Sequence, residues 1–381
     1  MADLSPTTPP TSPSAAPVAP AAEAPGSRRL VSLDAFRGFT MFWIVGGKAL
    51  LLALGALQAG RVVDFLRYQL AHSAWEGLRF YDLIWPSFML MVGVSIPYSF
   101  AKRAETQSRG QILLTAAKRA ALLFLLGSFR VSLSKNTPTL IELSSALQPI
   151  GIAYFVAALL AWRPRWVQAT VAAAILAGYA LLLALVPGPD FPAGSYARGA
   201  NLVLLTDLAV LGRAEPEGWG TVISTLPTIA TTLLGLWIGG LLRGPTAPGR
   251  KAAIIAGLGV AGLATGWALS PIVPVVMKLW TSSYGLASAG WACLMFAAFY
   301  WIIDVRGWRR WSFPFVVIGM NAVTIYLGVS IVPFTRIVGI FSKPIAAHLG
   351  NWGPLFAAGA VLFVEWLVLY WLYRRKIFLK A

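Results

Sequence analysis

The stretch His72–Ser99, HSAWEGLRFYDLIWPSFMLMVGVSIPYS, joins a charged head to a long apolar run. Its first half carries His72, Glu76, Arg79 and Asp82; from Leu83 the chain stays uncharged until Lys102. An apolar run of about 20 residues is what a helix needs to cross ~30 Å of hydrocarbon. The stretch therefore reads as a membrane-spanning helix with a titratable imidazole at its edge. Imidazole is the side chain suited to serve as base, acid or transient nucleophile near neutral pH.

The same pattern recurs along the chain. Apolar segments begin at Leu33, Tyr81, Ile112, Ser145, Trp166, Thr221, Ala252, Tyr284, Phe313 and Pro354. This predicts an all-α polytopic membrane bundle of about ten transmembrane helices. Composition agrees: 57% of residues are hydrophobic and 12% charged, against roughly 25% charged in a soluble domain. Three joints are long enough to build a site or a lid: Gly55 to Phe80, Pro187 to Gly220, and Phe334 to Gly353. Residues 1–27, rich in Pro, Ala, Ser and Thr without an apolar core, read as a disordered cytoplasmic tail rather than a signal peptide. Residues 28–381 form the membrane domain.

Charge orients the bundle. Most Lys and Arg, including Arg37, Lys102, Arg103, Arg163, Arg250 and Arg374, fall in the joints on one side. The positive-inside rule predicts both termini in the cytoplasm, His72 on the outer face, and a multi-pass protein of the inner (cytoplasmic) membrane. The net charge of +17 is scattered over these joints rather than gathered in a domain with interleaved aromatics. It points to a lipid bilayer and not to nucleic acid. Two histidines and one cysteine, Cys293, cannot assemble an ordinary zinc site, so no metal is expected. No GxxxxGK[ST], GxGxxG or HExxH motif occurs, which argues against NTP hydrolysis, hydride transfer and zinc chemistry.

Within this frame a few polar residues stand out. Asp34 and Arg37, three apart, can pair on one helix face. Glu76 or Asp82 can orient His72, provided that the chain bends, because ten residues of straight helix would span about 15 Å. Lys48 and Glu365 are the deeper charges, and Glu365 needs a partner or a proton. Asn321 and Gln148 offer amides to a polar substrate arm or to a neighbouring helix. His348 reads as a solvated loop residue.

Several blocks resemble, in order, the membrane domain of the heparan-alpha-glucosaminide N-acetyltransferase family in a bacterial-type form, within the wider transmembrane acyltransferase group. They are RLVSLDAFRGFTMFW, HSAWEGLRFYDLIWPSFMLMVGVSI, LQPIGIAYF, EPEGWGTVISTLPTIATTLLGLWIGGLL, KLWTSSYGLASAGW, DVRGW, GMNAVTIYLG and YRRKIFLK, and together they run from Arg29 to the C-terminus. The resemblance implies transfer of an acetyl group from cytoplasmic acetyl-CoA, a co-substrate, to an amino sugar or glycan acceptor outside. It leaves room for a homodimer. It carries the catalytic histidine onto His72 and matches Asp82, Asn321, Trp280 and Ser283 to family positions. Two departures fall near the implied site: Lys48 stands where the lysosomal enzymes have an asparagine, and Gln148-Pro149 where they have Gln-Arg. Arg37 and Lys376, with Arg28, Arg29, Lys118, Arg119, Arg374 and Arg375, are the cytoplasmic cations available to the CoA phosphates. A membrane O-acyltransferase acting on envelope polysaccharide and a secondary transporter remain as alternatives from the residues alone.

Overall fold

The computed structural model describes residues 30–379 except 56, 58, 59 and 142. The expected tail and the cations Arg28, Arg29 and Lys380 lie outside the described residues. The chain is an all-α membrane bundle; its one sheet among the described residues is the two-residue pairing of β1 (Tyr196–Ala197) with β2 (Ala200–Asn201).

Among the described residues, eight apolar helical stretches are long enough to span a bilayer. They are Val31–Gly55, Phe80–Ala104, Arg109–Lys135, Arg165–Leu185, Thr225–Arg243, Pro248–Leu269, Ser282–Val305 and Gly350–Arg374. A ninth is broken: α12 (Phe313–Met320) and α13 (Ala322–Ile331) meet at Asn321, in a segment bent by 63°. With one shorter helix they account for the ten apolar segments expected, each beginning within a few residues of its expected start. The segment expected from Ser145 folds as α6 (Leu147–Leu159), 13 residues long. At 1.5 Å per residue it covers about 20 Å of the ~30 Å of hydrocarbon.

Within the first span, α1 (Val31–Phe42) runs through a π turn at Trp43–Gly47 into α2 (Lys48–Gly55). The short α3 (Arg61–Gln69) follows, then a 3-10 turn at Phe80–Leu83 opening into α4 (Ile84–Ala104). The other elements are α5 (Arg109–Lys135), α7 (Arg165–Leu185), α8 (Leu202–Leu211), α9 (Thr225–Arg243), α10 (Pro248–Leu269), α11 (Ser282–Tyr300), α14 (Phe334–His348) and α15 (Gly353–Arg374).

Small residues let helix backbones touch where hydrocarbon offers no hydrophobic drive. A Cβ on Gly38 would strike the Phe315 carbonyl, and one on Gly319 the Asp34 carbonyl, so α1 and α12 pack backbone to backbone. Gly93 of α4 and Gly235 of α9 do the same. The central core sits around these crossings, with Phe36, Met89, Leu90 and Phe296 fully buried.

Candidate functional site

The loop ahead of α4 folds back on itself because Asp82 gathers it. Its Oδ1 lies 2.8 Å from His72 Nδ1. Its Oδ2 accepts the backbone N–H groups of Arg79 at 3.0 Å and Ser73 at 3.2 Å. Arg79 Nη1 donates to the His72 carbonyl at 2.9 Å, and the Tyr284 hydroxyl donates to the Asp82 carbonyl at 2.7 Å. The bend that the ten-residue spacing requires is made at Gly77, where φ is +107°, and at the 3-10 turn. Gly77 N–H also donates to the Val275 carbonyl at 2.8 Å, which pins the loop to the segment before α11.

The Asp82 side chain is 0% exposed and that of His72 38%. A buried carboxylate on Nδ1 fixes the tautomer with the proton on Nδ1, so Nε2 carries the lone pair. The imidazole is held by ring edges on two sides. Tyr81 lies 4.8 Å away and Trp219 5.3 Å away, both in edge contact.

His72 lines a cavity of about 410 Å³. Its apolar wall is made by Met41, Ile44, Ile84, Phe88, Leu147, Ile150 and Val323, with Trp85 and Tyr326. Polar groups come from Arg130, Ser144, Glu215 and Thr221. The wall thus draws on α1, its π turn, α4, α5, α6 and α13, and on two of the three long joints named from sequence. Such a lining suits a ligand with an apolar arm and a few fixed polar groups.

The remaining candidates divide by position. Lys48 Nζ sits 4.4 Å from the Tyr81 ring centroid, one aromatic away from His72. Trp280 is buried in edge contact with Trp85, and its Nε1 has no partner among the described residues. Gln148 is buried off the cavity, with Nε2 donating to Ser128 Oγ at 3.0 Å, and so ties α6 to α5. Ser283 Oγ donates to the Pro274 carbonyl at 2.9 Å. Arg37 Nη1 lies 3.4 Å from Asp34 Oδ1. Asn321, at the break between α12 and α13, is buried, and neither side-chain amide atom has a partner among the described residues. Glu365 is buried on α15, with Oε2 likewise unpartnered. Lys376 is exposed beyond α15. None of these lines the cavity that holds His72.

Sequence reading assigned no role to Trp219, Glu215, Thr221 or Arg130. Trp219 meets His72 across 147 positions of chain, and only the EPEGWG block in which Glu215 and Trp219 sit flagged the region. Arg130 Nε donates to Ser330 Oγ at 3.0 Å, and its guanidinium covers Tyr326 at 4.4 Å. Lys135 Nζ donates to Glu215 Oε1 at 3.0 Å. Lys278 Nζ donates to Glu217 Oε2 at 3.0 Å, and this hydrogen bond holds the Glu217 carboxyl below its usual range.

No protein-family model matches the chain. Human heparan-alpha-glucosaminide N-acetyltransferase is 25% identical over an alignment of 431 positions, covering 92% of this chain and 60% of its own length. The mouse protein of the same name is 24% identical over 372 positions, covering 79% of this chain and 53% of its own. The chain thus spans a little over half the length of these curated relatives. At that identity over most of its residues, this membrane protein is a distant homologue of the heparan-alpha-glucosaminide N-acetyltransferase family.

Proposed function

We propose that the chain is a transmembrane acetyltransferase, in which His72 drives transfer of an acetyl group from cytoplasmic acetyl-CoA to an amino sugar or glycan amine on the outer side. The observation that carries this reading is the His72–Asp82 pair, 2.8 Å apart, at the wall of a largely apolar cavity. An apolar wall suits the acyl arm of a thioester, while the CoA phosphates stay with cytoplasmic cations.

With Asp82 accepting Nδ1–H, Nε2 takes a proton from the acceptor amine. The amine nitrogen attacks the thioester carbonyl, the new C–N bond forms, and the C–S bond breaks. The CoA thiolate leaves and receives the proton held on the imidazolium. Asp82 stabilises that imidazolium and keeps its ring oriented. The same Nε2 would be the atom acetylated in a two-step route, and mass spectrometry of a trapped adduct separates the routes.

The test is purified protein in vesicles with labelled acetyl-CoA and a panel of amino sugars. Label should pass to the acceptor with release of CoA, and His72→Ala should abolish this while the protein stays folded. Near-normal turnover in His72→Ala removes the proposed role. Solute flux without consumption of acetyl-CoA would assign the chain to transport.

A further inference from the structure

Resting on the reading of His72 as the transfer centre, we infer that the strap Glu215–Thr221 is the acceptor-recognition element, with Glu215 selecting a sugar that bears an amine. The strap is a built feature. Glu217 and Gly218 are consecutively left-handed, at φ of +59° and +78°, and this reversal turns Trp219 back toward His72. Such a conformation strains a non-glycine residue, so something must hold it. Lys278 Nζ does, donating to both the carbonyl and the carboxylate of Glu217, at 3.2 and 3.0 Å. At the far end the buried Asp207 carboxylate accepts the N–H groups of Thr221 and Val222, each at 2.9 Å. Gly220 N–H donates to the Lys278 carbonyl at 2.8 Å.

So held, the strap presents two different groups to the cavity that His72 lines: the Glu215 carboxylate and the Trp219 indole. Glu215 is the one carboxylate among the described lining residues. The Thr221 side chain is buried beside the Asp207 carboxylate that also takes its N–H, so it belongs to the anchor of the strap.

These groups complement an amino sugar. The indole offers a surface for the apolar face of the ring, and the carboxylate accepts from the amine. One carboxylate oxygen is already engaged by Lys135 at 3.0 Å, which orients the group. A carboxylate binds an ammonium more strongly than a neutral hydroxyl, because the first hydrogen bond is charge-assisted at both ends. Once the bound ammonium has lost one proton to solvent, Glu215 still accepts an N–H of the neutral amine and steers its lone pair, and His72 Nε2 takes the second proton as the C–N bond forms. The strap therefore favours amine over hydroxyl acceptors.

The experiment measures two things on the purified protein: acetyl transfer to glucosamine and to glucose, and binding of glucosamine by calorimetry without acetyl-CoA. Glu215→Gln should raise the KM and Kd for glucosamine by about tenfold or more, the usual loss for a charge-assisted hydrogen bond. It should change the KM for acetyl-CoA less than kcat, and it should shrink the preference for glucosamine over glucose. Glu215→Asp should recover part of the preference. Unchanged glucosamine KM and Kd in a folded Glu215→Gln protein overturns the inference while leaving acetyl transfer intact. So does Lys135→Met reproducing the whole Glu215→Gln effect, since Glu215 would then serve only as an anchor for that lysine. Glutamate-dependent glucosamine binding without any acetyl transfer retains the strap as an amino-sugar site and overturns the catalytic reading instead.

Discussion

At the scale of single residues, Asp82 does more than any other side chain near the site, because one buried carboxylate both folds the loop and orients the imidazole. Its oxygens serve His72, Ser73 and Arg79 together. Asp82→Asn keeps the shape but offers an N–H₂ or an uncharged carbonyl to Nδ1, so the ring loses its fixed tautomer and its counter-charge. Acetyl transfer should fall by about 10²-fold or more, the scale of a general-base contribution; steady-state kinetics on purified protein would read this, and wild-type rates would remove Asp82 from the mechanism. Tyr284→Phe is a milder probe. It deletes the 2.7 Å hydrogen bond to the Asp82 carbonyl and leaves that buried acceptor short of a donor, so stability should drop by about 1–3 kcal/mol. Thermal unfolding in detergent measures it. The legibility of these residues from sequence follows from separation along the chain. His72 and Asp82 lie in one loop, and their pairing was open to a reading that allowed the loop to bend. Trp219 and Glu215 come from another joint, and no local pattern links them to His72.

At the scale of elements, two features govern the site: the glycine-lined crossings that fix the helices and the strap that closes over the cavity. Gly319 stands against the Asp34 carbonyl, so Gly319→Val must push α1 from α12. Overpacking of this kind costs about 1–3 kcal/mol, and a lowered melting temperature with reduced acetyl transfer is the expected outcome. A variant that melts like wild type would show that the crossing yields. The strap carries a pH dependence through Glu217. Lys278 holds that carboxylate below its ordinary value of 4.5, so the ionised form is favoured in the folded state. A group with a depressed folded pKa contributes its stability above the unfolded value and loses it as pH falls through the folded one. The melting-temperature gap between wild type and Lys278→Met should therefore be full above about pH 4.5 and narrow in more acid solution. A gap that widens there would reverse the assignment. The element shorter than a full span is α6, which packs against α5 and α9.

At the scale of the whole molecule, the proposed reaction poses a transport problem for a thioester. The CoA phosphates are too polar to cross, whereas His72 lies in the loop between α3 and α4, at the end of the bundle expected to face outward. Orientation is thus the global property on which the proposed chemistry depends. Single cysteines introduced into a Cys293→Ala background test it with a membrane-impermeant maleimide. Asn351→Cys, in the joint between α14 and α15, should react in intact cells. Ser108→Cys, between α4 and α5, should react only after permeabilisation. Labelling of both from one side would overturn the topology.

The sequence by itself determined what depends on local composition and period: a multi-pass helical bundle, the positions of its apolar segments, a histidine at the edge of one of them, and a resemblance whose distant homology the curated relatives support. Hydrocarbon forces backbone polar groups to pair within each segment, so helices follow directly from runs of apolar residues. Only the tertiary structure decided that Asn321 breaks a span, that Gln148 and Ser283 bond within the bundle away from the cavity, and that Glu215, Trp219 and Thr221 join His72 around one cavity. Those outcomes rest on contacts between segments far apart in the chain, where the geometry of packing, rather than the identity of neighbouring residues, sets which groups meet.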